Sequence, residues 1–285
     1  MQYTEIPIDI KKTGCADDLV ENAVLQSYLL EANESLKGSE HRPAVIVCPG
    51  GCYARKSVRE GEPVALRFLA QGMQAFMLQY STPARFPCAL AELGAAVALI
   101  REQAAEWHID PGKIYLCGFS AGGHLCASLG TLHDRDFLRG LLGEKMGFPE
   151  GAWRPDGMIL AYPVISSGTY GHRESFEMLL GQDPEEELLE LVSLEKQVTE
   201  KTVPAFVWHT GEDETVPVEN SMLFAMALRR ACIPLELHIY EKGEHGLTLC
   251  DEVTGNTPTR IQPDVAGWLE LAVRWIKRRS RGILV

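Results

Sequence analysis

The residues Gly118-Phe119-Ser120-Ala121-Gly122 form a G-x-S-x-G pattern that could present a serine as a nucleophile. An apolar run, 113–117, precedes the pattern, and a helical run, 123–132, follows it. A strand, a sharp turn and a helix in this order project a serine above the end of a sheet, and the flanking glycines make room for the strained turn. The pattern therefore predicts a nucleophile at Ser120, although a tight turn with a serine at a helix start has the same sequence.

A serine hydroxyl needs a base to take its proton and a carboxylate to orient that base. Asp213 lies 93 residues after Ser120, just past one predicted strand, and His245 lies 32 residues further on, past the next. Serine, then acid, then histidine is the order along the chain in which open α/β sheets with a serine at such a strand–turn–helix junction carry these three residues. We predict that His245 is the general base and acid and that Asp213 orients it. Glu212 and Glu214 flank Asp213, so a surface turn is the alternative explanation.

Backbone N–H groups for a tetrahedral oxyanion could come from the loop Pro49-Gly50-Gly51-Cys52-Tyr53, which follows the predicted strand 44–48. Each such donor contributes roughly 3 kcal/mol to transition-state stabilisation. The N–H of the residue after the nucleophile is the usual partner. We therefore predict an oxyanion hole made by Gly51, Cys52 and Ala121, with an ordinary Pro-Gly-Gly turn as the alternative.

Seven other histidines compete with His245 for the role of base. His238 lies inside a predicted strand and His209 precedes the acidic loop, so we expect both to be structural. His124 lies in the first turn of the helix that Ser120 opens. The others are His41, His108, His133 and His172.

The elements that must position these residues alternate between strands and helices along the chain. The strands are typical of a parallel sheet covered on both faces, because their residues are apolar in succession. We predict strands at 44–48, 75–78, 113–117, 158–161, 205–208 and 235–240, and helices at 62–71, 87–107, 123–132, 218–231 and 263–279. This alternation indicates a doubly wound, mostly parallel α/β sheet of about eight strands with helices on both faces. The segment up to about residue 30 is expected to form an antiparallel edge.

No Pro/Ser-rich linker and no internal repeat divides the chain, so we predict a single domain over residues 1–285. Two helix-prone excursions, 134–155 and 166–200, interrupt the alternation. We expect these short segments to act as caps over the site.

The chain has 285 residues, 27 basic and 39 acidic side chains, and a net charge of −12. This charge argues against nucleic-acid partners and against docking on an anionic membrane. No run reaches the roughly 20 apolar residues of a membrane span, and the N-terminus lacks the order of a signal peptide, so we expect a cytoplasmic protein. Eight cysteines without a C-x-x-C pair predict reduced thiols, and neither a metal nor a cofactor is expected.

Taken together, these motifs resemble those of the α/β-hydrolase-fold serine esterases, specifically the bacterial acetyl/feruloyl (sugar or xylan) esterase-like branch. The resemblance covers about residues 20–280 and follows five motifs in order: Cys48-Pro49-Gly50-Gly51-Cys52-Tyr53, Arg59-Glu60-Gly61-Glu62-Pro63-Val64-Ala65, Gly118-Phe119-Ser120-Ala121-Gly122-Gly123-His124-Leu125, Trp208-His209-Thr210-Gly211-Glu212-Asp213-Glu214-Thr215-Val216-Pro217 and His245-Gly246-Leu247. Related lipases begin their oxyanion loop His-Gly-Gly-Gly, whereas Pro49 and Cys52 replace the histidine and the last glycine here.

The resemblance implies an α/β-hydrolase fold and the deacylation of small esters, such as acetyl groups on sugars or oligosaccharides, through an acyl-enzyme on Ser120. A homodimer is compatible with it. One rival is an amide-cleaving relative, a formamidase or an exopeptidase. The other is a non-catalytic binding protein, because a fold does not dictate a function.

Overall fold

A computed structural model of the protein describes residues 1–15 and 23–280. The predicted domain, 1–285, also includes 16–22 and 281–285, which lie outside the described residues. The described strands form a sheet of eight, namely β1 (Gln2–Ile8), β2 (Ala23–Leu29), β3 (Arg42–Cys48), β4 (Gln74–Gln79), β5 (Ile109–Phe119), β6 (Gly157–Ala161), β7 (Ala205–Thr210) and β8 (Leu235–Tyr240).

The order of the strands across the sheet is β1-β2-β4-β3-β5-β6-β7-β8. β2 pairs antiparallel with β1 and with β4, and the remaining neighbours pair parallel. The sheet confirms the predicted class, a doubly wound and mostly parallel α/β sheet, and it confirms the antiparallel edge near the N-terminus.

The helices connect these strands and cover the sheet. They are α1 (Glu62–Ala70), α2 (Cys88–Glu102), α3 (Ala121–Leu132), α4 (Asp136–Leu138), α5 (Arg173–Leu180), α6 (Glu186–Leu191), α7 (Glu219–Arg230), α8 (Pro263–Ala266) and α9 (Trp268–Ser280). A π-helical segment spans Arg139–Lys145, and 3₁₀ turns span Lys11–Thr13, Val58–Glu60, Leu194–Lys196 and Pro258–Arg260. The predicted helix 87–107 was too long, because the chain turns through His108, at φ 56°, to enter β5. The predicted helix 263–279 is divided at Gly267.

Both faces of the sheet are buried, as the apolar strands require. In β3, Ile46 packs on the face covered by α2, α3 and α7, while Val45 and Val47 pack on the face covered by α1 and α9. All three side chains are fully buried. Burying a side chain of this size stabilises a fold by about 1.5–3 kcal/mol, so consecutive apolar residues are favoured in a doubly covered strand.

The parallel pairing brings the candidate residues to one edge of the sheet. Cys48 at the end of β3 lies beside Gly118 in β5. The loop 49–53, which is the predicted oxyanion loop, and the turn at Ser120, called the serine turn below, therefore leave the sheet side by side. The loops with Asp213 and His245 follow β7 and β8, which pair parallel as neighbours. Open α/β sheets bind their ligands at this carboxyl edge. Within residues 1–15 and 23–280, no helix is long and apolar enough to cross a membrane.

The two excursions lie in different places. Segment 134–155 packs along α2, where the Arg101 guanidinium donates to the Ala152 carbonyl, and Lys145 donates to the Thr13 carbonyl at 2.6 Å. Segment 166–200 approaches the serine turn, since the Phe176 ring lies 5.4 Å from the ring of His124 on α3. The structure therefore brings 166–200 to the candidate site and packs 134–155 mainly against α2.

Candidate active site

Ser120 occupies a strained turn between β5 and α3. Its backbone has φ 52° and ψ −119°, a left-handed conformation that costs a residue with a side chain about 1–3 kcal/mol. Two hydrogen bonds hold this conformation: the Ser120 N–H donates to the Ala161 carbonyl at 3.0 Å, and the Val164 N–H donates to the Ser120 carbonyl at 3.1 Å. The end of β6 therefore stabilises the turn that presents the hydroxyl.

Gly122 allows the start of α3 to pack directly against the end of β3. A Cβ at this position would lie 2.1 Å from the Cys48 carbonyl oxygen and 2.5 Å from that of Pro49. Backbone atoms cannot move aside as a flexible side chain can. The last glycine of the G-x-S-x-G pattern is thus required by the contact between the serine turn and the oxyanion loop.

Ser120, His245 and Asp213 form a continuous hydrogen-bonded chain. The Ser120 Oγ lies 2.9 Å from His245 Nε2, and His245 Nδ1 lies 2.7 Å from Asp213 Oδ2. Asp213 and Ser120 are both 6% exposed, whereas the His245 side chain is 18% exposed. This geometry allows the imidazole to accept the serine proton while the carboxylate stabilises the resulting positive charge.

The Asp213 carboxylate is surrounded by N–H donors. Its Oδ1 accepts from the N–H groups of Thr215 and Val216, at 3.0 and 2.9 Å. Burial acts to raise the pKa of Asp213, but hydrogen bonds from His209 and His245 outweigh it and hold the pKa below its usual range. The group is therefore ionised at neutral pH. Of the three acidic residues in this loop, Asp213 is the one that faces His245.

His209 is a second partner of Asp213 that the sequence did not reveal. Its Nε2 lies 3.2 Å from Asp213 Oδ2 and 2.9 Å from the Val216 carbonyl, and its Nδ1 lies 2.8 Å from Ser221 Oγ. Because Nε2 of His209 faces two acceptors, we assign the ring proton to Nε2, and the Ser221 hydroxyl then donates to Nδ1. The residue was predicted to be structural. The available signal was its position at the end of β7, four residues before the acid.

The oxyanion loop passes beside Ser120. A Cβ on Gly50 would lie 2.9 Å from the Ser120 Cβ, and the next three residues adopt positive φ angles: 131° at Gly51, 58° at Cys52 and 60° at Tyr53. Among the described residues, none accepts a hydrogen bond from the N–H of Gly51 or of Cys52. The N–H of Ala121 belongs to the first turn of α3, where helical N–H groups have no intrahelical partner.

Buried polar side chains support this loop from below. The Tyr80 hydroxyl donates to the Pro49 carbonyl at 2.6 Å. The Tyr53 hydroxyl lies 2.8 Å from His124 Nδ1, and His124 Nε2 lies 2.9 Å from the Val192 carbonyl. Burial lowers the pKa of His124 to about 4. The neutral ring therefore donates to the carbonyl and accepts from the tyrosine, which links the loop, α3 and segment 166–200.

Glu60 connects the oxyanion loop with the loop that carries His245. Its Oε2 accepts from the Gly50 N–H at 2.9 Å, and its Oε1 accepts from the Tyr162 hydroxyl at 2.8 Å. The Tyr162 oxygen accepts from the Thr248 N–H at 3.1 Å, and the Tyr162 ring lies 4.9 Å from the His245 ring. The sequence alone suggested no more than a loop or helix-start contact for Glu60.

One group of side chains at the site has ligands suited to a metal. The Cys52 thiol, a His172 nitrogen and a Glu174 carboxylate oxygen all lie within 4.8 Å of one another. Cys52 precedes His172 by 120 positions and Glu174 by 122. No close Cys/His pair in the sequence marks this group, because only folding brings its members together.

Comparisons with known proteins agree with this fold and indicate a family. The BD-FAE family matches residues 32–228. The endo-1,4-beta-xylanase B of Butyrivibrio fibrisolvens is 42% identical over 74% of this chain and 33% of its own length. The acetylxylan esterase of Xylanibacter ruminicola is 30% identical over 71% of this chain and 40% of its own length. The chain thus spans between a third and two fifths of these two relatives.

A solved structure matches nearly the whole of both chains. The acetyl ester-xyloside bifunctional hydrolase from Caldicellulosiruptor lactoaceticus is 34% identical, covers 99% of this chain and 97% of that one, and superposes with a TM-score of 0.82. The similarity therefore extends over the sheet, both layers of helices and the loops at the carboxyl edge.

Proposed function

The chain belongs to the BD-FAE family, within the acetyl/feruloyl xylan esterase-like branch of the α/β-hydrolase esterases, and from this premise we propose that it is a serine hydrolase that cleaves small carboxylic esters. The observation that carries the proposal is the hydrogen-bonded chain from Ser120 through His245 to Asp213. Three residues far apart in sequence take up the geometry that acyl transfer requires.

In the proposed reaction, the Ser120 oxygen attacks the acyl carbon while His245 Nε2 takes the hydroxyl proton. The carbonyl oxygen becomes an oxyanion, stabilised by N–H groups of Gly51, Cys52 and Ala121. Collapse of this intermediate breaks the ester bond, and His245 returns the proton to the leaving alcohol. Water then attacks the acyl-enzyme with His245 again as base, and the carboxylic acid and the free serine are released. Asp213 stays ionised throughout.

The substrate class we propose is an acetylated sugar or oligosaccharide, including the acetyl groups of xylan. The similarity of the chain to an acetylxylan esterase and to a bifunctional acetyl ester-xyloside hydrolase supports this choice. We propose that segment 166–200 contacts the substrate, because its residues His172 and Glu174 lie beside Cys52. A cytoplasmic location, a single domain and a homodimer stay predictions.

The variant Ser120→Ala tests the nucleophile. We expect p-nitrophenyl acetate hydrolysis to fall by about 10⁴-fold or more, as for other serine triads, with an unchanged circular dichroism spectrum. Ser128→Ala is the matched control, because Ser128 lies on the same helix and donates to the His124 carbonyl. It should keep its turnover within about threefold, since losing one neutral hydrogen bond affects mainly stability. Wild-type turnover in folded Ser120→Ala would contradict the proposal.

A fluorophosphonate probe separates the enzyme from the non-catalytic binding protein. We expect the wild-type chain to be labelled and Ser120→Ala not to be. A folded wild-type chain that escapes labelling would support the binding protein instead. Rates on an acetylated xylo-oligosaccharide, N-formylkynurenine and a dipeptide amide then distinguish the esterase from the amide-cleaving alternatives. Faster cleavage of either amide than of the ester would contradict the proposed substrate class.

A further inference from the structure

Cys52, His172 and Glu174 come from two elements that meet at the candidate site. Cys52 lies on the loop after β3, whereas His172 immediately precedes α5 and Glu174 lies in the first turn of that helix. Their donor atoms lie within 4.8 Å of one another. Ligands of a tetrahedral zinc ion, bound at 2.0–2.3 Å, are about 3.5 Å apart. Small side-chain rotations would bring the three donors to that spacing. The Glu174 side chain is free to rotate because it is exposed to solvent.

The chemistry of this donor set selects the kind of cation. A thiolate, an imidazole and one carboxylate are ligands of zinc, whereas magnesium and calcium prefer sets made entirely of oxygen. His172 Nδ1 also lies 2.9 Å from the hydroxyl of the buried Ser175, so we assign Nε2 as the metal ligand. A hydrogen bond at the second ring nitrogen is what orients most metal-ligating histidines.

The charges around the group are compatible with metal binding at neutral pH. Burial, and next the nearby His245, lower the pKa of His172, so its ring is neutral and keeps a lone pair. Burial and the charge of Glu174 raise the pKa of the Cys52 thiol. Binding must therefore displace a proton: the S–H bond breaks, an S–metal bond forms, and one proton is released to solvent.

We propose that Cys52, His172 and Glu174 form a binding site for a zinc-like divalent cation between the loop after β3 and the start of α5. Cys52 is a predicted oxyanion donor on the loop that passes beside Ser120. A bound ion would connect the predicted oxyanion loop to the start of α5 and hold the Cys52 backbone in the position that the ion requires. Zinc is therefore expected to be a reversible inhibitor. Only this inhibition rests on the proposed function; the binding itself does not.

Binding is measured first on the whole chain, with Zn²⁺ in competition with a chromophoric chelator and with Co²⁺ as a spectroscopic probe. We expect one ion per chain, one proton released and a thiolate-to-cobalt charge-transfer band. Cys52→Ser, His172→Gln and Glu174→Gln should each weaken zinc binding about tenfold or more, and the first should abolish the band. Cys232→Ser is the matched control, because Cys232 is an exposed free thiol elsewhere on the chain.

Inhibition is measured next, as the zinc concentration that halves p-nitrophenyl acetate turnover relative to each variant's own zinc-free rate. We expect that concentration to rise about tenfold in His172→Gln, in line with the loss of one ligand, and to stay unchanged in Cys232→Ser. The proposal is overturned if Co²⁺ produces no thiolate band, or if all three ligand variants bind zinc as the wild type does. If the chain has no esterase activity, the binding measurements still decide the question.

Discussion

Replacing Glu60 by glutamine tests whether the buried carboxylate between the two active-site loops positions the oxyanion hole. Glu60 is 4% exposed and accepts hydrogen bonds from the Gly50 N–H and the Tyr162 hydroxyl. Glutamine has almost the same shape, but only one of its two terminal atoms accepts hydrogen bonds. Its NH₂ group must therefore face one of two donors. The Tyr162 oxygen already accepts from the Thr248 N–H. Whichever way the glutamine amide is turned, the Gly50 N–H or the Tyr162 hydroxyl therefore loses its acceptor.

The magnitude follows from the two bonds. A hydrogen bond to a charged group contributes about 1.5–3 kcal/mol, and one between neutral groups about 0.5–1.5 kcal/mol. Glutamine keeps one bond in its weaker neutral form and loses the other, while it avoids burying a charge. We expect a loss of about 2 kcal/mol in the free energy of unfolding, which lowers the melting temperature by about 4–8 °C. Displacement of the Gly50 backbone should lower kcat about tenfold, because a complete loss of one oxyanion donor lowers it 10²–10³-fold.

The assay is the hydrolysis of p-nitrophenyl acetate, with kcat and KM determined separately and melting followed by circular dichroism. Glu62→Gln is the matched control: Glu62 lies two positions further on, is exposed, and accepts from the Tyr28 hydroxyl at 3.2 Å. Its stability should change by less than about 0.5 kcal/mol, as for most surface substitutions, and its kcat should not change.

Two results would refute the reasoning. If Glu60→Gln melts at a lower temperature but keeps its kcat within twofold, the residue only stabilises the fold and does not position the oxyanion loop. If it melts like the wild type, the two buried hydrogen bonds do not have the strength that their charge and burial imply.

Three further substitutions test other parts of the structure. Asp213→Asn should lower kcat for p-nitrophenyl acetate about 10⁴-fold through the wrong imidazole tautomer; a loss below tenfold would argue against the role of this carboxylate. Burial raises the pKa of Glu92 in the folded chain to about 7, whereas its pKa in the unfolded chain is about 4.3. Between these two pH values the folded chain binds more protons than the unfolded chain, so its stability falls as the pH rises. Glutamine does not titrate, so the stability of Glu92→Gln in urea, measured relative to the wild type at each pH, should rise from pH 5 to pH 8; parallel pH profiles would contradict this. Gly122→Ala should lose most soluble folded protein because its Cβ would lie 2.1 Å from the Cys48 carbonyl oxygen, whereas Gly140→Ala, with no atom within 4 Å, should fold normally. Equal yields of the two would show that the backbone can move aside.

Much of the fold was predictable because its signals are local. The predicted strand 235–240 coincides with β8, and the others lie inside the observed strands, since a doubly covered strand must be apolar in succession. Helix ends were less predictable. The apolar pattern continued beyond Glu102, but the helix ends there, because the route of the chain into β5 determines where it turns.

The candidate triad was predictable for a related reason. Ser120, Asp213 and His245 each follow a strand, and the carboxyl ends of parallel strands meet at one edge of the sheet. Their meeting could therefore be inferred from three local patterns and one rule of topology. His209 and Glu60 could not be assigned in the same way, since their roles depend on which partner each side chain contacts.

By itself, the sequence determined the type of sheet, the strained serine turn and the order of the acid and the histidine, because these depend on periodicity and spacing along the chain. Only the tertiary structure decided which buried groups support them and that Cys52 meets His172 and Glu174. Some of those contacts, such as that of Glu60 with Tyr162, join residues 102 positions apart. Others, such as that of His209 with Asp213, join near neighbours, but in both cases no local pattern tells which side chain contacts which. Their energies depend on burial and hydrogen-bond geometry, which exist only once the chain has packed.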